Sequence, residues 1–304
     1  RTNWQAKNFR LMVAPAATTS DRATWRDLAA HRDDIFIDDF EAFPGFVAIA
    51  ERSMGPRRLR SLPLDGSGER YVESDEPDST AWLAYNAEQA TTKLRYGFTS
   101  LRTPESTFEV DMQTGARVLL KQQAVLGGFD AALYATERLF LPARDGTQVP
   151  VSLLYRKGFE ANGKAPVLIE AYGSYGYSSD PYFDSDVLSL VDRGFVYAIA
   201  HVRGGQEMGR HWYEDGKLLK KKNTFFDFID VAEWIVKERI TSSDRLVIEG
   251  GSAGGLLMGA VVNLRPDLWK AVHAAVPFVD VLNTMFDTSL PLSDVEARIN
   301  AGRG

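Results

Sequence analysis

Residue 252 is a serine set between glycines at two-residue spacing, Gly250-Gly-Ser252-Ala-Gly254. A serine hydroxyl is a weak nucleophile until a base takes its proton and donors receive the charge developing on the attacked carbonyl oxygen. The bare Gly-x-Ser-x-Gly pattern carries little weight, because at usual Gly and Ser frequencies it arises by chance about 0.1 times in a chain of this length. Its surroundings carry more. The run Leu246-Val-Ile-Glu249 leads in with strand character, and the small-residue stretch Gly255-Leu-Leu-Met-Gly-Ala-Val-Val262 leads out with helix character. Strand, sharp turn and helix together make a nucleophile elbow, in which the turn lifts Oγ above the sheet and the glycines let strand and helix approach. The helix would also aim its free N–H groups at the site, so the Ala253 N–H is a candidate oxyanion donor.

An elbow of this kind needs a sheet behind it, and the second half of the chain supplies the pattern. From about residue 145, buried-strand runs at 149–155, 166–170, 195–200, 245–249 and 271–276 alternate with helical periods. Residues 186–193 end at Gly194, a good left-handed cap. Residues 224–239 place Phe225, Phe228, Ile229, Ala232, Ile235 and Val236 on one face, with Asn223 available as N-cap. Such alternation implies a mostly parallel sheet with helices on both faces. The first 120 or so residues differ. Short β-rich runs at 34–37, 45–50, 57–62, 81–85, 94–98, 107–110 and 116–120 are separated by turn residues and read as antiparallel strands. Two hairpins look alike, and their turn glycines, Gly66 and Gly115, lie 49 positions apart. Four strands per repeat of that length suggests propeller blades; two unrelated hairpins in a sandwich would give the same runs.

Composition limits the function classes. With 304 residues, 44% hydrophobic and 25% charged, the chain has ordinary globular texture and room for about two domains. No apolar run approaches the roughly 18 residues that span a bilayer, and the first residues lack a signal-peptide pattern. A soluble protein without a membrane partner is expected. The net charge of −6 argues against nucleic acid, whose binders display a basic face. Zero cysteines exclude disulfides, thiolate metal sites and cysteine nucleophiles, and fit a reducing compartment; a cytoplasmic location is expected.

The motif around Ser252, with Asn263-Leu-Arg-Pro-Asp-Leu-Trp269, Val276-Pro-Phe-Val-Asp280, His201-Val-Arg-Gly-Gly-Gln-Glu-Met-Gly209, the stretch 212–225 and Tyr172-Gly-Ser-Tyr-Gly176, resembles the prolyl oligopeptidase family of serine peptidases. The wording is most similar to its oligopeptidase B branch, where Ala follows the nucleophile. The similarity runs from about residue 5 to about 292. It implies an α/β-hydrolase catalytic domain, incomplete in this chain, preceded by the last blades of a seven-bladed β-propeller, with residues 1–125 as propeller and 126–304 as peptidase domain. It also implies Ser252 as nucleophile, the Ala253 N–H as one oxyanion donor and the Tyr172 hydroxyl as the other, with Tyr175 as competing assignment. Short peptides, cut after Arg or Lys through an acyl-enzyme, are the implied substrates, and neither cofactor nor metal is required. Prolyl-specific or acylaminoacyl cleavage is the nearer alternative; a non-catalytic interaction fragment is the farther one. A lipase or esterase would lack the propeller.

A base and an acid for Ser252 are not evident. After Leu292 the sequence departs from the family pattern before the stretch that carries the family's Asp and His, so the chain reads as truncated at both ends and inactive alone. His273, within an apolar run, reads as a packed strand residue; His201 stands at a strand end like a site-lining residue; His31 and His211 read as surface or loop residues. A zinc site from His201, His211 and a carboxylate is disfavoured, as neither an HExxH spacing nor cysteine partners are present. Lys217-Leu-Leu-Lys-Lys-Lys222 reads as a solvated face, and Asp180, Asp184 and Asp186 as solvated helix-start acids.

Overall fold

The computed structural model describes residues 1–287, 289 and 290; the departure after Leu292 and the end of the expected peptidase domain lie outside these residues. A short pair, β1 (Leu11–Val13) and β2 (Arg26–Ala29), precedes two four-stranded antiparallel sheets. The first sheet runs in chain order through β3 (Phe36–Ala42), β4 (Phe46–Arg52), β5 (Arg57–Pro63) and β6 (Arg70–Tyr71). The second repeats the order with β7 (Ser79–Leu83), β8 (Lys93–Ser100), β9 (Thr103–Asp111) and β10 (Arg117–Gln122). Gly66 and Gly115 each take positive φ, +78° and +76°, in the turn joining third strand to fourth. The sandwich alternative thus gives way to two copies of one blade. Phe46, Ala48, Ala50 and Leu59 of one blade pack on Leu94, Tyr96, Phe98 and Val110 of the next.

The remaining strands form one six-stranded sheet. β11 (Tyr134–Pro142), β12 (Gln148–Arg156), β13 (Val167–Glu170), β14 (Val196–Ala200), β15 (Leu246–Gly251) and β16 (Ala271–Ala275) lie in the order β11-β12-β14-β13-β15-β16. The first three in that order are antiparallel, while β14, β13, β15 and β16 are parallel. Helices α1 (Ser185–Val191), α2 (Arg210–Glu214), α3 (Lys222–Lys237), α4 (Ala253–Leu264) and α5 (Val281–Phe286) complete the unit. Phe228, Ile229, Ala232 and Ile235 of α3, with Leu257, Met258 and Val261 of α4, cover one face over Val151, Ile169, Ala198 and Ile248. Leu188 and Val191 of α1 cover the opposite face on Leu168, Tyr197 and Ile199. Among the described residues no helix is long and apolar enough to cross a membrane.

Two local expectations are corrected. Lys221, not Asn223, occupies the N-cap of α3; Asn223 already lies in the first turn, where its amide donates to the Asp215 carbonyl at 2.9 Å. His273 is exposed rather than packed, because β16 is the outermost strand of the described sheet, and its Nδ1 meets Glu249 Oε1 of β15 at 3.0 Å.

Candidate active site

The turn after β15 leads directly from the strand into α4. Ser252 sits at φ +53°, ψ −113°, a conformation that costs a non-glycine residue on the order of 1–3 kcal/mol, and its side chain is exposed. Two hydrogen bonds from the end of β16 hold it there: Ser252 N donates to Ala275 O at 2.9 Å, and Phe278 N donates to Ser252 O at 3.1 Å. The crossing of strand and helix leaves no room for a side chain on either glycine. A Cβ on Gly250 would lie 2.5 Å from the Gly254 carbonyl oxygen, and one on Gly254 would lie 2.7 Å from that of Ala171. Ala253 is buried at the first position of α4, so its N–H belongs to the unpaired set at the helix's positive end.

Tyr172 reaches the same place from the next strand. β13 runs parallel to β15 with Glu170 opposite Glu249, and the chain leaving β13 brings Tyr172 beside the start of α4. Its Cα is 3.4 Å and its Cδ2 3.5 Å from where a Cβ on Gly254 would stand. The half-buried Tyr172 ring meets that of Tyr177 edge-on, with centroids 5.3 Å apart. Tyr175, by contrast, is half exposed at φ +57° on the outward bend of the loop. The structure therefore brings Ser252, Ala253 and Tyr172 to one helix end.

The loop after β14 buttresses this segment. Gly176 N donates to Gly204 O at 2.9 Å. Arg203 is locked by Asp227, with Nε to Oδ2 at 2.9 Å and Nη2 to Oδ1 at 2.5 Å, and by Asp145 at 2.7 Å. His201 does not line the site: it is fully buried, and its Nε2 pairs with Ser152 Oγ at 2.7 Å. Burial pushes its basicity well below that of an ordinary imidazole. None of the described hydrogen bonds places a histidine on Ser252. His31 Nε2 accepts from Asn8 N at 3.3 Å, and His211 is exposed beside Trp212.

Three groups were underestimated by the sequence pattern. Asp180 is not solvated; it is buried against two arginines of the first blade, Arg52 at 2.6 and 2.9 Å and Arg57 at 3.5 Å. Only Asp184, as N-cap of α1, and Asp186, in its first turn, keep the helix-start role. Glu207, also buried, accepts from Ser179 N at 2.8 Å, and burial raises its carboxyl to about 7. Lys221 turns inward from the otherwise lysine-rich surface run and donates to Gly173 O and Ser174 Oγ. Nothing in a run of lysines marks which one points inward; that depends on the loop it meets.

Comparison with known proteins matches residues 181–301 to the prolyl oligopeptidase family and residues 1–123 to the N-terminal β-propeller domain of prolyl oligopeptidase. A dipeptidyl aminopeptidase BI from Pseudoxanthomonas mexicana is 52% identical over 97% of this chain and 41% of its own length. Protease 2 from Moraxella lacunata is 38% identical over 97% of this chain and 42% of its own length. Among solved structures, oligopeptidase B from Leishmania major superposes with a TM-score of 0.88 at 42% identity, covering 95% of this chain and 42% of that one. The chain thus spans about two fifths of the length of the relatives it matches.

Proposed function

This chain belongs to the prolyl oligopeptidase family, and on that premise we propose that it carries the nucleophile of a serine oligopeptidase cleaving short peptides after Arg or Lys. The observation that carries the reading is the exposed Ser252 at a strained strand-to-helix turn, with the Ala253 N–H and Tyr172 at the same helix end. In this scheme Ser252 Oγ attacks the scissile carbonyl while a base takes its proton. The Ala253 N–H and Tyr172 O–H receive the oxyanion, and the C–N bond breaks as the base passes its proton to the leaving amine. Water, deprotonated by the same base, then attacks the acyl carbon and releases the acid, with the proton returned to Ser252 Oγ. No described histidine serves as that base, so the base and its acid partner are assigned to sequence outside the described residues. The preference for a basic residue is what the resemblance of the sequence motifs implies, and likeness to protease 2 and oligopeptidase B supports the serine-peptidase reading. The blades of residues 1–123 support restriction to short peptides.

The test is hydrolysis, by the full-length gene product, of short peptides that differ only in Arg, Lys or Pro before the cleaved bond, with Ser252→Ala as control. Cleavage after Arg and Lys that vanishes in the variant is expected. Cleavage confined to Pro would move the protein to the prolyl-specific alternative, and turnover surviving Ser252→Ala would refute the nucleophile.

A further inference from the structure

The Tyr172 loop has a cation inside it that, among the described residues, pairs with no carboxylate. Lys221 Nζ lies 2.5 Å from the Gly173 carbonyl oxygen and 2.7 Å from Ser174 Oγ, the two residues that follow Tyr172. It forms no ion pair among the described residues, whereas its neighbour Lys220 pairs with Asp215 at 2.6 Å and Lys222 is exposed. Withdrawing an ammonium group from water onto two neutral acceptors carries a desolvation cost that the rest of the fold must offset. That cost is visible in Lys221, whose affinity for its proton is lowered by burial to about 8.

The surroundings show what the cation holds. Lys221 is the N-cap of α3, a helix anchored in the core through Phe228, Ile229 and Ile235. One turn on, Thr224 donates to Arg203 O at 2.6 Å, and its methyl group closes on Gly173 from below. Gly176 is tied to Gly204 on the far side. Between these fixed points Lys221 reaches into the bend after Tyr172 with a charge-assisted donor.

We propose that Lys221 is a positioning residue of the oxyanion hole: its ammonium fixes the Gly173–Ser174 bend and thereby the direction of the Tyr172 hydroxyl. The proposal rests on Tyr172 being an oxyanion donor. A group that acts only by aiming a transition-state donor changes kcat and leaves KM nearly constant. It also becomes irrelevant once the donor is removed.

The experiment is steady-state kinetics on the full-length protein with Lys221→Met, Tyr172→Phe and the double variant. Lys221→Met is expected to lower kcat by about tenfold, the scale of one charge-assisted hydrogen bond, with KM within about twofold. In the Tyr172→Phe background it should cost nothing further. Ser174→Ala, which removes one acceptor and leaves the lysine, should give a smaller loss of the same kind and answers the question if Lys221→Met fails to fold. A wild-type kcat in Lys221→Met, a parallel rise in KM, or full additivity with Tyr172→Phe would overturn the proposal while leaving the Tyr172 reading intact. A wild-type kcat in Tyr172→Phe itself would overturn both.

Discussion

Ser252 and Tyr172 divide the expected chemistry between a strained backbone and an ordinary side chain. The serine needs its unusual φ because an extended continuation of β15 would bury Oγ in the sheet; the tyrosine needs only to be delivered beside Gly254. Replacing Tyr172 with Phe should lower kcat by about 10²-fold, the scale of one oxyanion donor, and an unchanged kcat would transfer the role to Tyr175 or another donor. Glu207 gives a separate test. Its carboxyl is raised by burial, so the folded state holds a proton that the unfolded chain releases at lower pH. Its contribution is fully present below the ordinary carboxyl range near 4.5 and is lost as pH rises to about 7. Glu207→Gln, which mimics the protonated form, should therefore gain stability relative to wild type across that window, by a few kcal/mol at the alkaline end. Melting curves of the two proteins from pH 4 to 8 check this; a constant difference would mean that the carboxyl titrates normally.

At the level of elements, the elbow is a packing problem solved by two glycines. Gly254→Ala would press a methyl group within 2.7 Å of the Ala171 carbonyl oxygen, backbone against backbone, so β13 or α4 must shift. A loss of about 1–3 kcal/mol in thermal stability is expected, together with loss of reactivity at Ser252. This is also where the sequence was most legible. Hydrophobic period alone located β12 to β16, α1 and α3, because parallel strands buried on both faces read as continuous apolar runs. It missed β11, whose Thr-Glu-Arg-Leu-Phe mixture belongs to an edge strand reaching toward the blades: Arg138 bonds Asp78 at 2.9 Å. It also missed β6, two residues whose one strand partner among the described residues is β5, and it misplaced the start of α3, where Lys221 takes the N-cap without a side-chain cap hydrogen bond. Lys221 and Asp180 were invisible for a common reason: a charged residue's burial depends on a partner far away in sequence, and no local pattern encodes it.

Across the whole molecule, the first blade and the catalytic unit meet through buried charge. Arg52, in a strand whose every residue is buried, forks onto Asp180, with Arg57 and Asp38 completing the cluster. Asp180→Asn would leave Arg52, among the described residues, with Asp38 at 3.5 Å as its remaining carboxylate and the Gly55 carbonyl at 3.3 Å. A loss of about 3 kcal/mol is expected, measured as an earlier thermal transition; an unchanged transition would mean that the two units are held by other contacts. The blades and the hydrolase sheet follow from the chain in hand, whereas the base for Ser252 does not. Reading the gene beyond the codon for Leu292 should reveal an Asp and a His in the continuing frame, and their absence would favour the non-catalytic alternative. The most direct measurement is to treat the full-length protein with a fluorophosphonate and map the adduct by peptide mass spectrometry. A single adduct on Ser252, absent in Ser252→Ala, is the expected result; an adduct on another residue, or none on the folded full-length protein, would contradict the assignment of Ser252 as nucleophile.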